Sequence, residues 1–377
     1  MTILDRYVLK QFVQIFLICF LSLGGLYVVI DAFQHLDSFS AYASENGSLI
    51  GAITEYYAYQ SFDLFDRTSG ILAMIAAMFT VTWLQRHNEL TAMMAAGISK
   101  LRSIRPIVLA ALAVSVLGVL NREMVIPQIR HELTRDTKDL GGSELRDLEP
   151  RFDGHTEIVL GGDKTVAKEQ RIVKPTFVLP DTLSKYGKQL VAENGYYLEA
   201  TADHPAGYLL DKVTVPANIN KVSSLRSEGR ALVVTHKDAS WLKPGQAFVV
   251  SHVPFELLAN GSSWRRYASL GEMVRELNEV STEPETDLRV AVHTRLLQPF
   301  MDTTMLMLGL PLMFSRRNRN VFLSIGICLA AGIAFSMVTL VCQSLGDLSL
   351  LRPTLAAWLP LMVFVPIAVA LGESFRT

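Results

Sequence analysis

Three charged residues near the start of a long apolar stretch have the types and the spacing to bind an anion. Asp63, Asp66 and Arg67 lie in the segment SFDLFDRTSG, just before the apolar run ILAMIAAMFTVTWL. Because Asp63 and Arg67 are four residues apart, they share one face of a helix and can form an ion pair. Two interpretations remain open. Either the charges are solvated at an interfacial helix start, or they line a cavity where Arg67 contacts an anionic lipid headgroup.

Asp31 and His35 occupy a comparable position in the segment VVIDAFQHLDSFS, at the end of the first apolar stretch. Asp31 is either an interface residue or an inward-pointing one. His35 is the residue of this segment that can become cationic, although a histidine is mostly neutral at pH 7. We therefore group Asp31, His35, Asp63 and Arg67 as candidate residues of a lipid cavity.

The signature motifs of enzyme sites are absent from the sequence. GGDKT at Gly161 lacks the second glycine and the GK[ST] ending of an ATP-binding loop, and HELTR at His131 lacks the second histidine of a zinc protease. The histidines do not cluster at metal-ligand spacing, and Cys19, Cys328 and Cys342 lie in apolar stretches. We predict no enzymatic activity, metal site or cofactor. A net charge of -1 predicts no nucleic-acid partner.

The segment QRHNELTAMMAAGISKLRSIRP combines basic residues with helical spacing of apolar ones. Leu90, Met93, Met94 and Gly97 recur at that spacing, and Glu89 stands near the expected start, where an acidic side chain is favourable. The pattern predicts an amphipathic helix over about 86–101. Such a helix either rests on a membrane surface or serves as a docking element.

The elements that position these residues are membrane helices. Half of the 377 residues are hydrophobic, and they concentrate near both ends of the chain. Six apolar stretches are long enough to cross a bilayer, since about 20 residues suffice. They lie at about 7–33, 60–85, 104–126, 289–314, 321–345 and 354–372. We read the first as an uncleaved helix rather than a signal peptide.

The polar middle of the chain predicts an inserted domain. We divide the chain into residues 1–126 with three membrane helices, an insert at 127–288, and residues 289–377 with three more helices. Short runs such as HTEIVL and GYLLDKVTVP, separated by Gly, Pro, Asn and Asp, predict a β-sandwich or jelly roll. Helices at about 129–138 and 269–279 flank it. For the second of these we expect no capping box at Ser269, and expect Glu272 only to favour the positive end.

The distribution of Lys and Arg in short loops predicts the orientation. One side carries a basic set, whereas on the other side the loop between Phe33 and Gln60 has none and the loop at 346–353 has only Arg352. Both termini are therefore expected in the cytoplasm, with the insert outside it. The basic set is Arg6, Lys10, Arg86, Lys100, Arg102, Arg105, Arg316, Arg317, Arg319 and Arg376.

Four segments together resemble the lipopolysaccharide-export permeases of the LptF/LptG (YjgP/YjgQ) family. They are ILDRYVLKQF at the N-terminus, RHNELTAMMAAGIS after the second span, LNREMVIP at the end of the third, and LGEMVRELNE followed by HTRLLQPFMDTTMLMLGLPLMF. The insert segments VAENGYYLEA and AGYLLDKVTV resemble the family's jelly roll. The LDRY sequence favours the LptG side. The absence of Lys and Arg from VVIDAFQHLDSFS departs from the pattern of that side and puts lipid contact there in doubt.

The resemblance implies an inner-membrane permease with a periplasmic jelly roll. Its implied partners are a cytoplasmic ATPase dimer, a second LptF/LptG-type permease, a single-span periplasmic jelly-roll partner of the LptC type, and lipopolysaccharide itself. It also implies a lipid cavity lined by the first, second and fifth membrane helices. Because this chain has no ATP site, Glu89, Leu90, Met93, Met94 and Gly97 are interpreted as the helix that contacts the ATPase.

Two other functions are compatible with the sequence. A secondary transporter is compatible with two three-helix halves, although no broken helix pair with intramembrane acids is evident. A membrane anchor for a periplasmic adaptor domain is the other alternative, but it would need neither six spans nor the short amphipathic helix.

Overall fold

The computed structural model describes most of the chain. The described residues are 3–46, 48–134, 145–148, 150–166, 169–180, 187–201, 204–227, 230–239, 241–259, 261–279, 286–314 and 321–372. Arg316, Arg317, Arg319 and Arg376, which contribute to the predicted charge bias, lie outside these ranges.

Long apolar helices stand at both ends of the chain. In the first group, the long helices α1 (Ile3–Gln34), α3 (Leu49–Arg86) and α5 (Lys100–Leu120) alternate with the short helices α2 (Leu36–Asn46) and α4 (Glu89–Ala95). The bounds of the second group are given below. Among the described residues, five helices are long and apolar enough to cross a membrane, beginning at Ile3, Leu49, Lys100, Leu323 and Pro353. The chain is therefore a helical membrane protein.

The fourth predicted span is α10 (Thr286–Phe314), which precedes α11 (Val321–Asp347) and α12 (Pro353–Gly372). It is not among the five apolar helices, and its sequence shows why: Gln298, Asp302, Thr303 and Thr304 interrupt its apolar run. Its 29 residues nevertheless correspond to about 43 Å, more than the thickness of a bilayer core. It packs against α12, α11 and α3, in the middle of the bundle.

The third span was predicted to end at about residue 126, just before Pro127, but the helix does not end there. The helix continues through a π-helical turn, Asn121–Val125, into α6 (Ile126–Leu133). Pro127 is in the first turn of α6, where its missing N–H costs little because the π-turn already shifts the hydrogen-bond ladder. The Asn121 side-chain amide donates to the carbonyl of Phe62 at 2.9 Å and fixes this turn against α3.

The middle of the chain is an antiparallel β domain. Among the described residues its strands are β1 (Arg146–Asp147), β2 (Arg151–Asp153), β3 (Ile158–Leu160), β4 (Lys164–Val166), β5 (Arg171–Val173), β6 (Thr176–Val178), β7 (Gln189–Leu198), β8 (Gly207–Val215), β9 (Leu225–Ser227), β10 (Arg230–Thr235) and β11 (Ala247–Val250). The main path runs β1-β4-β5-β7-β8-β11-β10-β9, and β6 connects β7 to β3 and β2.

The long strand β7 explains why this sheet curls. Its first half pairs with β6, with Val191 opposite Thr176, and its second half pairs with β5, with Tyr196 opposite Arg171. The chain bends between β5 and β6 at Lys174, which has φ 48°. One edge of β7 therefore continues into two branches that enclose a core containing Ile158, Leu160, Ile172, Phe177, Leu190, Tyr208, Leu210 and Val249.

Three short helices lead from the β domain back to the membrane: α7 (Phe255–Ala259), α8 (Gly261–Tyr267) and α9 (Leu270–Glu279). The expectation that Ser269 forms no capping box was wrong. The Ser269 N–H donates to Glu272 Oε2 at 2.8 Å, and the Glu272 N–H donates to Ser269 Oγ at 3.2 Å. Glu272 is the third residue after Ser269, which is the spacing that the reciprocal bond requires.

Candidate functional site

A charged cavity of about 710 Å³ lies where the helices that leave the β domain meet the membrane helices. Its lining residues come from α3, the π-turn after α5, α8, α10 and α11. Its charged lining residues are Asp63, Asp66, Arg67, Arg122, Arg265, Arg266, Asp287, Arg295 and Asp347. Two of the four predicted lipid-cavity residues, Asp63 and Arg67, therefore line one cavity.

The Asp63 carboxylate is shared by two guanidinium groups. Arg67 Nη2 is 2.6 Å from Asp63 Oδ2, and Arg266 Nη2, from α8, is 3.0 Å from the same oxygen. The predicted helix-face pair of Asp63 and Arg67 is thus observed. The Asp63 side chain is only 8 % exposed, whereas those of Arg67 and Arg266 are 51 % and 43 % exposed. Two cations facing the cavity share one buried anion, so the pair leaves donors for a further anion.

The other charges of the cavity are held more completely. Arg122 makes a two-pronged contact with Asp66, from Nε at 2.8 Å to Oδ1 and from Nη2 at 2.9 Å to Oδ2. Arg265 Nη1 donates to Asp287 Oδ2 at 2.6 Å. These pairs join α3 to the π-turn and α8 to α10, and they fix the walls of the cavity.

Arg295 of α10 binds the carboxyl end of α8. Its guanidinium donates to the carbonyl oxygens of Arg265, at 2.9 Å, Arg266, at 2.6 Å, and Ala268. The last carbonyls of a helix have no partner within it and carry partial negative charge, so a cation is favourable there. Arg295 therefore fastens the connection between the β domain and the membrane helices.

Tyr267 closes one side of this charged cluster. It is buried against Ile126 and Leu133, and the guanidinium of Arg266 lies 5.3 Å from the centre of its ring. Burial, followed by the nearby negative charge of Asp63, raises the pKa of Tyr267 to about 12. Its phenol is therefore neutral at physiological pH, and it adds no negative charge to the cavity.

Asp31 and His35 lie elsewhere, between α1 and α3. Asp31 Oδ2 accepts a hydrogen bond from the Tyr57 hydroxyl at 2.6 Å, and His35 Nδ1 lies 3.5 Å from Asp31 Oδ1. Neither residue lines the charged cavity, and none of the cavity residues given above comes from α1.

An apolar groove of about 230 Å³ runs between α3 and α11, the second and fifth predicted spans. Gly332 allows close approach, since a Cβ there would lie 2.6 Å from Met74 Cε. The lining residues are Ile71, Met74, Leu329, Gly332, Ile333, Ser336, Met337 and Leu340. A groove of this composition suits a hydrocarbon chain.

The predicted amphipathic helix at 86–101 is shorter than expected. Arg86 ends α3, α4 covers only Glu89–Ala95, and Lys100 begins α5. The reason is local: Asn88 and Gly97 both have left-handed backbone conformations, with φ of 58° and 82°, which interrupt a continuous helix. What links α3 to α5 is therefore a two-turn helix between two bends.

The five predicted coupling residues divide into two groups. Leu90 and Met93 are buried in the chain's own core, which also contains Val8 and Phe12 of α1. Glu89 is half-buried and accepts a hydrogen bond from the Tyr7 hydroxyl at 2.9 Å, whereas Met94 and Gly97 are exposed. Leu90 and Met93 face inward, so the exposed surface of this helix is formed by other residues.

Sequence reasoning missed Arg122, Arg266, Arg295 and Asp302 as members of the site or its surroundings. Arg266 lies far along the chain from Asp63, so nothing local signals their pairing. Asp302 did carry a signal, because it interrupts the apolar run LLQPFMDTTMLMLG. An acid inside a membrane helix is a candidate functional residue by its position alone.

Comparison with known proteins agrees with this architecture. A family model described as "Lipopolysaccharide export system permease LptF/LptG" matches residues 6–148 and 182–373. A comparison with curated proteins gave no match. The family match covers both groups of membrane helices and much of the β domain, well over half of the chain. The chain therefore belongs to the LptF/LptG family of lipopolysaccharide export permeases.

Proposed function

We propose that this protein is the membrane subunit of an ABC-type exporter that removes lipopolysaccharide from the outer leaflet of the inner membrane. The lipid then passes along the β domain to a periplasmic bridge. The observation that carries the proposal is the combination, in one chain of this family, of the charged cavity with the apolar groove between α3 and α11. An amphiphile with an anionic headgroup needs both surfaces.

The headgroup is assigned to Arg67 and Arg266. Their guanidinium groups share the single Asp63 carboxylate and are about half exposed, so donors remain to bind a phosphate. The remaining arginines of the cavity are bound to carboxylates or to backbone carbonyls, and they shape it instead.

The proposed topology places both termini in the cytoplasm and the β domain in the periplasm. The basic residues around α4 support it: Arg86 and Lys100 flank this helix, whereas the cavity residues of α3, Asp63 to Arg67, lie about five turns or more from Arg86.

A reporter fused after Gly207, in the β domain, tests this topology. An enzyme that is active only in the cytoplasm should be inactive there and active when fused after Gly372. Activity at Gly207 would contradict the proposed orientation.

We assign the supply of energy for lipid transport to a separate cytoplasmic ATPase dimer. With Leu90 and Met93 buried, the surface available for contact is the outer face of α4, which exposes Thr91, Met94 and Ala95, together with Gly97. The hydrogen bond from Tyr7 to Glu89 would fix the position of this face relative to α1.

We expect the Met94→Gln variant to retain less of the ATPase in a pull-down than the wild type, by about tenfold. The reason is that an exposed apolar side chain at the centre of an interface contributes about 1–2 kcal/mol or more. The control is Met124→Gln, because Met124 is 60 % exposed but lies in the π-turn at the other end of the bundle. Equal recovery of the ATPase with both variants would contradict the docking role of α4. Absence of the ATPase from wild-type preparations would favour a secondary transporter or an anchor.

The remaining partners follow from the family and from exposed surfaces. A second LptF/LptG-type permease is proposed to cover α1, whose Leu21, Leu26 and Phe33 are exposed in the single chain. A single-span LptC-like partner with its own jelly roll is proposed to extend the β domain.

A further inference from the structure

Asp302 is an acidic residue within the membrane helix α10. It is seven residues from Arg295, the residue that binds the end of α8, so it lies about 10 Å further along the helix axis. An ionised carboxylate is costly at this depth unless a cation or several donors compensate it.

Among the residues that the structure describes, none supplies a cation in contact with Asp302. Ser115 Oγ of α5 is 3.0 Å from Asp302 Oδ2, and Gln298 Nε2 is 3.2 Å from Oδ1. In the part of the chain that the structure describes, no Lys, Arg or His forms an ion pair with this carboxyl. The Ser115 hydroxyl and the Gln298 amide both donate to the carboxyl, and both are neutral, so neither offsets the charge of an ionised carboxylate inside a membrane helix.

The packing around Asp302 restricts what can bind. Gly70 of α3 lies directly against the carboxyl, and a Cβ there would be 2.5 Å from Asp302 Oδ1. The adjoining void measures only about 10 Å³, with Ala73, Ala111 and Leu306 among its walls. This is the lower limit for a single water molecule, so a hydrated metal ion has no room.

Gln298 connects Asp302 to the charged cavity. The same side chain that bonds Asp302 also lines the charged cavity of about 710 Å³. We propose that Asp302 is a proton-binding site inside the membrane, filled from the charged cavity through Gln298, and that the bound proton lets α3, α5 and α10 pack closely at Gly70 and Ser115.

The charges that act on this site from neighbouring elements are few. Asp66, in the middle of α3, and Arg122, in the π-turn after α5, form an ion pair, so their charges oppose each other at Asp302. On α10 the nearest cation is Arg295, which is bound to the carbonyls of α8. Helix α11 contributes Asp347 at its outer end, and the segment Pro353–Gly372 contains no charged residue.

Infrared spectroscopy of the purified full-length chain in lipid vesicles tests the proposal directly. The carbonyl stretch of a protonated carboxylic acid should be present at pH 7, and Asp302→Asn should remove the intensity of one such group per chain. The control is Asp287→Asn on the same helix, whose carboxylate is paired with Arg265 and should contribute nothing to that band. Gln298→Leu should slow exchange of the band in heavy water.

A second variant keeps the test decisive if Asp302→Asn does not fold. Ser115→Ala retains the acid but removes one of its hydrogen-bond partners, so the band should shift rather than disappear. A wild-type spectrum without the band, or a band that none of Asp302→Asn, Ser115→Ala and Gln298→Leu changes, would overturn the proposal.

Discussion

Replacing Arg67 and Arg266 together by glutamine is expected to reduce the lipopolysaccharide that copurifies with the protein by about 100-fold. Each guanidinium would contribute about 1.5–3 kcal/mol as a charge-assisted donor to a phosphate. Losing two of them therefore removes about 3 kcal/mol or more. The measurement is lipid content by mass spectrometry, at matched protein levels and after a check of folding by thermal unfolding.

The Asp63→Asn variant provides a test of opposite sign. It releases both arginines from their carboxylate while leaving them in place, so lipid retention should rise or at least not fall. If the double glutamine variant and Asp63→Asn lose the same amount of copurifying lipid, the cluster of Asp63, Arg67 and Arg266 only maintains the fold. If none of them changes lipid content, the headgroup binds elsewhere.

The second large effect is expected for Arg295→Ala. This change leaves the last carbonyls of α8 without their donors and removes one side chain from the wall of the charged cavity. Because hydrogen bonds from a charged group contribute about 1.5–3 kcal/mol each, the free energy of unfolding should fall by about 3 kcal/mol or more. Thermal unfolding in detergent measures this loss, and limited proteolysis should show faster cleavage between the β domain and α10.

The matched control for this variant is Arg275→Ala. Arg275 lies on the exposed side of α9, close in sequence to the same junction, and its removal should change the free energy of unfolding by about 0.5 kcal/mol or less. Equal unfolding temperatures of the two variants would show that Arg295 does not stabilise the connection between the β domain and α10.

The sequence predicted the fold well where the signal was periodic. The apolar stretches gave the membrane helices, and the alternation of short apolar runs with turn residues gave the β domain, because both signals are local. The third span was predicted to end before Pro127 because a proline ends a regular helix. After a π-turn, however, a proline is tolerated, and no local pattern distinguishes the two cases. At α4 the apolar period was correct, but the backbone conformations of Asn88 and Gly97 shortened the helix.

The site was predictable only within single helices. The four-residue spacing of Asp63 and Arg67 indicated their pairing, but the second partner, Arg266, reaches Asp63 only through the fold of the whole β domain. The apolar period of α4 could not show that Leu90 and Met93 face the chain's own core, because a buried face and a docking face have the same pattern.

The length of α3 has a mechanical consequence. About 34 Å of one uninterrupted helix separates Arg86, beside α4, from Asp63, so one rigid rod spans the bilayer between them. Near Arg86, the Gln85 side-chain amide donates a hydrogen bond to the carbonyl of Met313 and so connects α3 to α10. Because a rigid helix moves as one body, a tilt of α3 imposed beside α4 would displace Asp63, Asp66 and Arg67 at the same time. The opening of the cavity and the release of an anion would then be a single rigid-body movement rather than a relay through loops.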